Sequence, residues 1–341
     1  MRLLILGGTI FLGRHLVAAA LARGHAVTLF NRGQHNPDLF PDVEKLRGDR
    51  TVSLDALADR SWDAVIDTSG YVPRVVRLAA ETLADRVDHY TFISSLSVYA
   101  DTSRPGVDEA APVGRIDDPT TEEITGESYG PLKALCEQVA EAALPGRSLV
   151  IRPGLIVGPY DPTDRFTYWP RRVAQGGEAL APGHPGYETQ IIDARDLAAW
   201  TLDMVEARRV GVYNATGPAT PLTLGEALDT SRTVSGSDAT VTWVDESFLL
   251  EQGVQPWTEL PLWMPESDPA MAGFNRFSID RALAAGLTFR PLADTVAATL
   301  AWDATRDATA PSRAGLTRER ETELLSAWHA RRDQGRRTED Q

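Results

Sequence analysis

The chain has 341 residues, 43% of them hydrophobic, enough to bury a sizeable core in one large domain or two intimately joined ones. Its formal charge of −14 opposes the attraction to phosphate that carries non-specific nucleic-acid binding, so no nucleic-acid partner is expected. No stretch approaches the roughly 18 uninterrupted apolar residues of a membrane span. The single cysteine, Cys136, excludes an internal disulfide framework. Met1 leads straight into an apolar strand without the basic flank and long apolar run of a signal peptide, which points to a reducing cytoplasm.

In chain order, apolar runs alternate with helical patterns: residues 3–6, 14–22, 26–30, 64–67, 75–83 and 90–94. That alternation predicts βα units and an α/β fold with a Rossmann-type, doubly wound parallel sheet. The buried-strand pattern LVIRPGLIVG (149–158) gives way to Gly/Pro-rich segments, which suggest an excursion from the sheet. Strand-like pieces near Thr189–Ile192 and Gly211–Asn214 flank a helical run and read as a return to it. The expected division is therefore interleaved. Residues 1–154 and 189–217 form the dinucleotide-binding domain, 155–188 and 218–312 a smaller substrate-binding region, and 313–341 a C-terminal helix and tail whose last residues lack periodicity and are expected to be disordered.

The segment LLILGGTIFLGRHLVAAAL places Gly7, Gly8 and Gly13 between an apolar strand and a helix. The first glycine permits a tight turn, and Gly13 lets the helix pack close to the strand. The backbone of Gly7, Thr9, Ile10, Phe11, Leu12 and Gly13 is then aimed at a pyrophosphate. The middle glycine of the usual pattern is replaced by Ile10. At the end of the second strand, where an acidic residue would bind ribose hydroxyls, stand Asn31 and Arg32. Loss of the carboxylate and gain of a guanidinium favour NADP over NAD, although a solvated loop arginine has the same sequence appearance. Asp49 is placed to accept from an adenine amino group or, equally, to cap its own turn.

HYTFISSLSVYAD (89–101) reads as a buried strand ending in hydroxyl residues, and ESYGPLKALCEQVAEAAL (127–144) as an amphipathic helix with Tyr129 and Lys133 on one face. A lysine ammonium beside a phenol favours the phenolate, and lets tyrosine trade a proton with a substrate hydroxyl or carbonyl. A serine hydroxyl opposite can hold the same oxygen.

The segments GGTIFLG (7–13), SSLSVY (94–99), YGPLK (129–133), IRPGLIVGP (151–159) and QIIDARDL (190–197) resemble, in order and spacing, the extended short-chain dehydrogenase/reductase superfamily, also labelled NAD-dependent epimerase/dehydratase. The resemblance covers roughly residues 1–310. It implies Ser95 as the catalytic hydroxyl, with Ser97 the lesser candidate, Tyr129 as the acid/base, and Lys133 as the residue that lowers its pKa and binds the nicotinamide ribose. It also implies that Thr68, Ser69 and Gly70 line the cofactor cleft, that Pro153 and Gly154 approach the nicotinamide, and that the protein dimerises through helices of the cofactor domain.

Several departures narrow the activity. Sugar-nucleotide dehydratases of that superfamily carry Asp-Glu after the catalytic hydroxyl, where this chain has Leu96-Ser97, and epimerases of UDP-sugars often have Asn where Leu155 stands. The Ile10 variant resembles an atypical subgroup that includes chloroplast stem-loop-binding proteins. The loop DRFTYWPRRVAQGG (164–177) offers Arg165, Trp169 and Arg172 as contacts to a small-molecule substrate, alongside Ser97. The histidines show no metal-ligand spacing, so no metal is expected. The sequence favours an NADP-preferring oxidoreductase acting on a small carbonyl or secondary alcohol. A sugar or sugar-nucleotide epimerase and a non-catalytic dinucleotide- or RNA-associated protein are the other readings.

Overall fold

The computed structural model describes residues 1–307, 309 and 311–339, the last five as backbone only. In β1 (Arg2–Leu6) the apolar run is buried on both faces: Leu3 and Ile5 join one core, Leu4 and Leu6 the other. It sits within a seven-stranded sheet with β2 (Ala26–Asn31), β3 (Glu44–Arg47), β4 (Trp62–Asp67), β5 (Val87–Ile93), β6 (Ser148–Pro153) and β7 (Gly211–Ala215), in the order β7-β6-β5-β4-β1-β2-β3. Every pairing is parallel. β3 escapes the sequence reading because EKLR is polar, as suits an edge strand with one side open to solvent.

Helices α1 (Phe11–Ala22), α2 (Pro73–Leu83), α3 (Tyr129–Ala143) and α4 (Ala194–Glu206) cover this sheet, α1 and α4 on one face, α2 and α3 on the other. Leu12, Leu16, Val17 and Ala20 of α1 share a core with Leu197, Ala198 and Val205 of α4. Val76, Ala79 and Leu83 of α2 share the second with Cys136, Val139 and Ala140 of α3. The chain winds from β1 outward through β2 and β3, then returns to β4 on the other side. The carboxyl ends of β1 and β4 therefore border the crevice at the switch point, where ligands of open α/β sheets bind.

The chain divides into two compact units: residues 1–156, 191–219 and 276–289, and residues 157–190, 220–275 and 290–341. The sheet and its helices make the first. Segment 276–289, which the sequence pattern assigns to the other region, also belongs here: Phe277 stacks on Tyr99 with ring centres 5.7 Å apart, and Ala282 and Leu287 are buried in the core of α1 and α4. The piece expected near Thr189–Ile192 does not rejoin the sheet: Glu188–Thr189 and Ile191–Asp193 each join a separate two-stranded pair, whereas β7 does rejoin it.

In the second unit, helix Leu224–Ser235 opens with a Thr223/Glu226 capping box and ends at Gly236, in the left-handed region at φ 66°. Helix Arg318–Glu339 carries the tail's helical pattern to the end of the described residues; the disorder expected beyond it lies outside them. Glu321 anchors this helix. Its two carboxylate oxygens lie 2.9 and 2.6 Å from Arg172 Nε, and one accepts the Leu180 N–H at 3.0 Å. Trp169 is 1% exposed and donates to the Pro261 carbonyl at 2.7 Å. Trp169 and Arg172, expected among the substrate contacts, are instead interior groups whose polar atoms are spent within their own unit.

Removing one partner of a buried ion pair strands the other. Arg172→Met is expected to cost about 3–5 kcal/mol in denaturant unfolding followed by tryptophan fluorescence. Arg208→Met, which breaks an exposed pair with Asp88, should stay within about 1 kcal/mol of the parent.

Candidate active site

Gly7 leaves β1 at φ 113°, and a Cβ there would lie 2.6 Å from Thr68 Oγ1. In the first turn of α1, a Cβ on Gly13 would lie 2.8 Å from the Gly8 nitrogen, so helix and glycine turn approach at backbone distance. α1 starts after extended Ile10, and no side chain caps its first turn. Free helical N–H groups and the positive end of the helix dipole favour an anion there. Ile10 replaces the middle glycine at no expense to the core, because its side chain remains 45% exposed.

Asn31, at the end of β2, donates from Nδ2 to the Gly7 carbonyl at 2.8 Å and accepts from the Gly33 N–H at 3.0 Å. Its Oδ1 also accepts from Arg47, which the sequence reading missed. Asn36 Nδ2 donates to the Thr9 carbonyl at 2.8 Å. Two asparagines thus fix the glycine turn through its carbonyls and leave its N–H groups out of those bonds. Arg32 is exposed beside this turn. Asp49 Oδ1 accepts from the Thr51 N–H at 2.9 Å and the Thr51 hydroxyl at 2.7 Å, a turn cap that leaves Oδ2 outside these bonds.

Across the crevice, Thr68 Oγ1 and Ser69 Oγ donate to the Leu6 carbonyl at 2.9 and 3.2 Å, tying the end of β4 to the end of β1. Thr68, Ser69 and Gly70 are thereby brought beside Gly7. The Gly70 carbonyl accepts from Lys133 Nζ at 2.7 Å, and the Ile93 carbonyl does so at 2.6 Å. Lys133 is 3% exposed, its ammonium 4.2 Å from the Phe92 ring centre and 5.3 Å from that of Tyr71. Burial lowers its pKa to about 8, against nearby groups that favour the charged form.

Ser95, two residues beyond β5, caps a short turn: its Oγ accepts from the Ser97 N–H and donates to Ser97 Oγ, each at 3.1 Å. Ser97 is exposed and Ser95 half-buried. α3 begins at half-buried Tyr129, and its next residue, Gly130, lies so close to the turn that a Cβ would overlap the Ser97 carbonyl. That close approach brings the helix start of Tyr129 onto the turn of Ser95 and Ser97, one helical turn from Lys133.

The arginine of the R-P-G segment works inside the protein. Arg152 holds Glu137 of α3 through Nε at 2.9 Å and Nη2 at 2.6 Å, and donates to the Tyr99 hydroxyl at 3.0 Å. Tyr99 donates to Asn214 Oδ1 at 2.6 Å, and Ser94 donates to Glu137 at 2.5 Å. These bonds pin α3 to β5, β6 and β7. Pro153 closes β6, and the Gly154 N–H donates to the Ala215 carbonyl at 3.1 Å, with no room for a Cβ against Thr216. Arg165 lies in the second unit, its guanidinium 5.5 Å from the Trp257 ring centre. Among the described residues, no group of histidines, cysteines and carboxylates is arranged to hold a metal, and no helix is long and apolar enough to cross a membrane.

No protein-family model matches the chain. Over 240 residues it is 26% identical to the chloroplast stem-loop binding protein of 41 kDa b of Arabidopsis thaliana, an alignment covering 63% of this chain and 58% of that protein. Among solved structures it is similar to the UDP-Glc/GlcNAc 4-epimerase of Campylobacter jejuni (TM-score 0.67, 16% identity, 89% of this chain and 99% of that one). It is likewise similar to the enzyme WbmH of Bordetella bronchiseptica in complex with NAD+ (0.65, 17%, 89% and 98%) and to the UDP-glucuronic acid 4-epimerase of Bacillus cereus in complex with NAD (0.63, 16%, 89% and 98%). What the chain shares with these structures is the fold, built on the seven-stranded parallel sheet with helices on both faces. These identities carry the likeness as far as the fold.

A dinucleotide fits the first unit of this fold on local grounds: glycines stand where side chains would fill the crevice, and α1 presents an uncapped first turn. Asn31→Ala removes the bond to the Gly7 carbonyl and frees Arg47. It is expected to weaken dinucleotide binding by about 1–2 kcal/mol, roughly five- to thirtyfold in Kd by calorimetry, with the circular dichroism spectrum unchanged.

Proposed function

We propose that this chain is a nicotinamide-dinucleotide-dependent epimerase that transiently oxidises a secondary alcohol of a sugar or sugar nucleotide and then reverses the oxidation on the other face. The observation that carries the reading is Lys133: a buried ammonium held by the Gly70 and Ile93 carbonyls at the carboxyl ends of β4 and β5, one helical turn from Tyr129. The likeness to 4-epimerases along nearly their whole length supports the epimerase reading over net reduction. Net reduction of a small carbonyl compound is the second reading, favoured by apolar Leu155 and Ile156 after the R-P-G segment. The proposed coenzyme is NADP, with NAD as the alternative: Asn31 is neutral, Arg47 donates to it, and Arg32 is exposed beside it.

The glycine turn and the start of α1 would hold the pyrophosphate, and Lys133 the nicotinamide ribose. When bound, the dinucleotide supplies the hydride acceptor and donor. Tyr129 takes the proton of the substrate hydroxyl as the carbonyl forms and gives it back as the alcohol is restored. Ser95 holds the same oxygen by a hydrogen bond. Lys133 in its charged form lowers the proton affinity of Tyr129, so its deprotonation removes the activation.

Three measurements test this. Incubation with UDP-sugars and with simple ketones, followed both by reduced-nicotinamide absorbance and by NMR of the sugar carbons, is expected to show inverted configuration without net cofactor change; stoichiometric cofactor oxidation would favour the second reading. Tyr129→Phe is expected to lower turnover by about 10²–10⁴-fold while dinucleotide binding stays within about twofold. In the parent, kcat/KM should fall as pH rises through about 8, where Lys133 loses its proton.

A further inference from the structure

A second buried charge pair lies at the same end of the sheet and has no part in the proton steps. Arg50, in the connection between β3 and β4, grips Asp67 at the end of β4 with a fork: Nη1 to Oδ1 at 2.5 Å and Nη2 to Oδ2 at 2.7 Å. Arg50 Nη1 also donates to Ser69 Oγ at 2.9 Å, the Ser69 N–H donates to Asp67 Oδ1 at 3.1 Å, and the Tyr90 hydroxyl of β5 donates to Asp67 Oδ2 at 2.8 Å. Asp67 is fully buried, and the Nε–H of Arg50 is buried without a partner. Gly70, three residues beyond Asp67, is wedged so tightly that a Cβ would lie 2.6 Å from Val76, 2.7 Å from Phe92 and 3.3 Å from Asp67 Oδ2. Its carbonyl is one of the two that hold Lys133.

We propose that the Arg50–Asp67 pair is a positioning element for Lys133: it fixes the Ser69–Gly70 turn whose carbonyl holds the ammonium, and it supplies an anion whose field favours the charged form of that ammonium. The catalytic meaning of this pair rests on the function proposed above; the physical coupling does not. The charged and titratable groups around Lys133 are Asp67 of β4, Arg50, and Cys136 and Glu137 of α3; Tyr71 faces its ammonium, Tyr90 of β5 is bonded to Asp67, and Tyr129 stands one helical turn away on α3. Burial pushes the Cys136 thiol up to about 12 and keeps the Tyr90 phenol well above its ordinary range, so both are neutral when Lys133 titrates. Glu137 is engaged by Arg152. Burial works against the Asp67 carboxylate, yet Arg50 and the Tyr90 hydroxyl hold it below the usual carboxylate range. It is thus an anion across the whole range in which Lys133 changes charge, and its pull on Lys133 exceeds the opposing push of Arg50.

The sequence provides an unusually clean probe, because Lys45 and Lys133 are its only lysines. The test is a pH titration of the full chain labelled with 13Cε-lysine and observed by NMR, with Lys45→Arg assigning the remaining signal to Lys133. The Lys133 signal is expected to titrate near pH 8. In Arg50→Met/Asp67→Asn, which removes both charges and leaves neither stranded, the midpoint should move down by about half a pH unit or more. Arg50→Gln/Asp67→Asn, which keeps hydrogen-bonding groups, should move it the same way if the first variant folds poorly. The alkaline limb of kcat/KM should follow the same displacement, a response that a purely structural pair would not give. An unchanged Lys133 midpoint in a folded double variant, or a parent signal that titrates like a free lysine, would overturn the proposal. A displaced midpoint in a chain with no dinucleotide-dependent turnover would uphold the coupling and sink the function instead.

Discussion

Keeping one ammonium dry is the constraint on which this end of the molecule turns. A buried lysine loses the hydration of its charge and survives charged only where carbonyls, rings and anions replace the water. Lys133 has two carbonyls from the ends of neighbouring segments, the face of Phe92, and the field of Asp67. Each of those groups has its own fixing: Gly70 by close packing, Asp67 by Arg50 and Tyr90, and α3 by the Glu137–Arg152 pair. The outcome is a cation whose proton is held with an affinity close to physiological pH, at the carboxyl ends of β4 and β5.

The second requirement is close backbone approach, and it is met by position more than by motif. The sheet order places the end of β1 beside the end of β4, and the hydroxyls of Thr68 and Ser69 lock them together on the Leu6 carbonyl. Gly7 and Gly13 then keep the turn thin, while Asn31 and Asn36 secure its carbonyls. With those carbonyls tied back, Ile10 can replace a glycine and stay at the surface. An uncapped helix start and a buried cation stand along the same carboxyl edge of the sheet, the arrangement the proposed dinucleotide would use.

Much of this was readable in advance because it is local. The run Leu3–Leu6, the glycines after it, and the Tyr129/Lys133 spacing carry their own periodicity, and the parallel sheet follows from their alternation with helices. The edge strand Glu44–Arg47 was not readable, since a polar edge has no apolar signal. Nor were the Arg50–Asp67 and Arg152–Glu137 pairs, whose partners meet only when separate strands assemble; the charge that closes the apolar run of β4 was the one available hint. Arg172 misleads for the same reason. An arginine in an aromatic loop looks like a ligand contact until a carboxylate 149 residues away is found against it. Segment 276–289 returns to the first unit through Phe277, Ala282 and Leu287, apolar residues that say nothing about which core they enter.

Calorimetric titration of the full chain with NADP+ and, separately, with NAD+ tests the dinucleotide site most directly when paired with Gly7→Val, whose side chain would collide with Thr68 in a backbone conformation that suits glycine. Saturable binding of at least one of the two at micromolar concentration or below, lost in a folded Gly7→Val chain, is the expected result. Absence of saturable binding by the parent, or equal binding by the variant, would contradict a dinucleotide site at this turn.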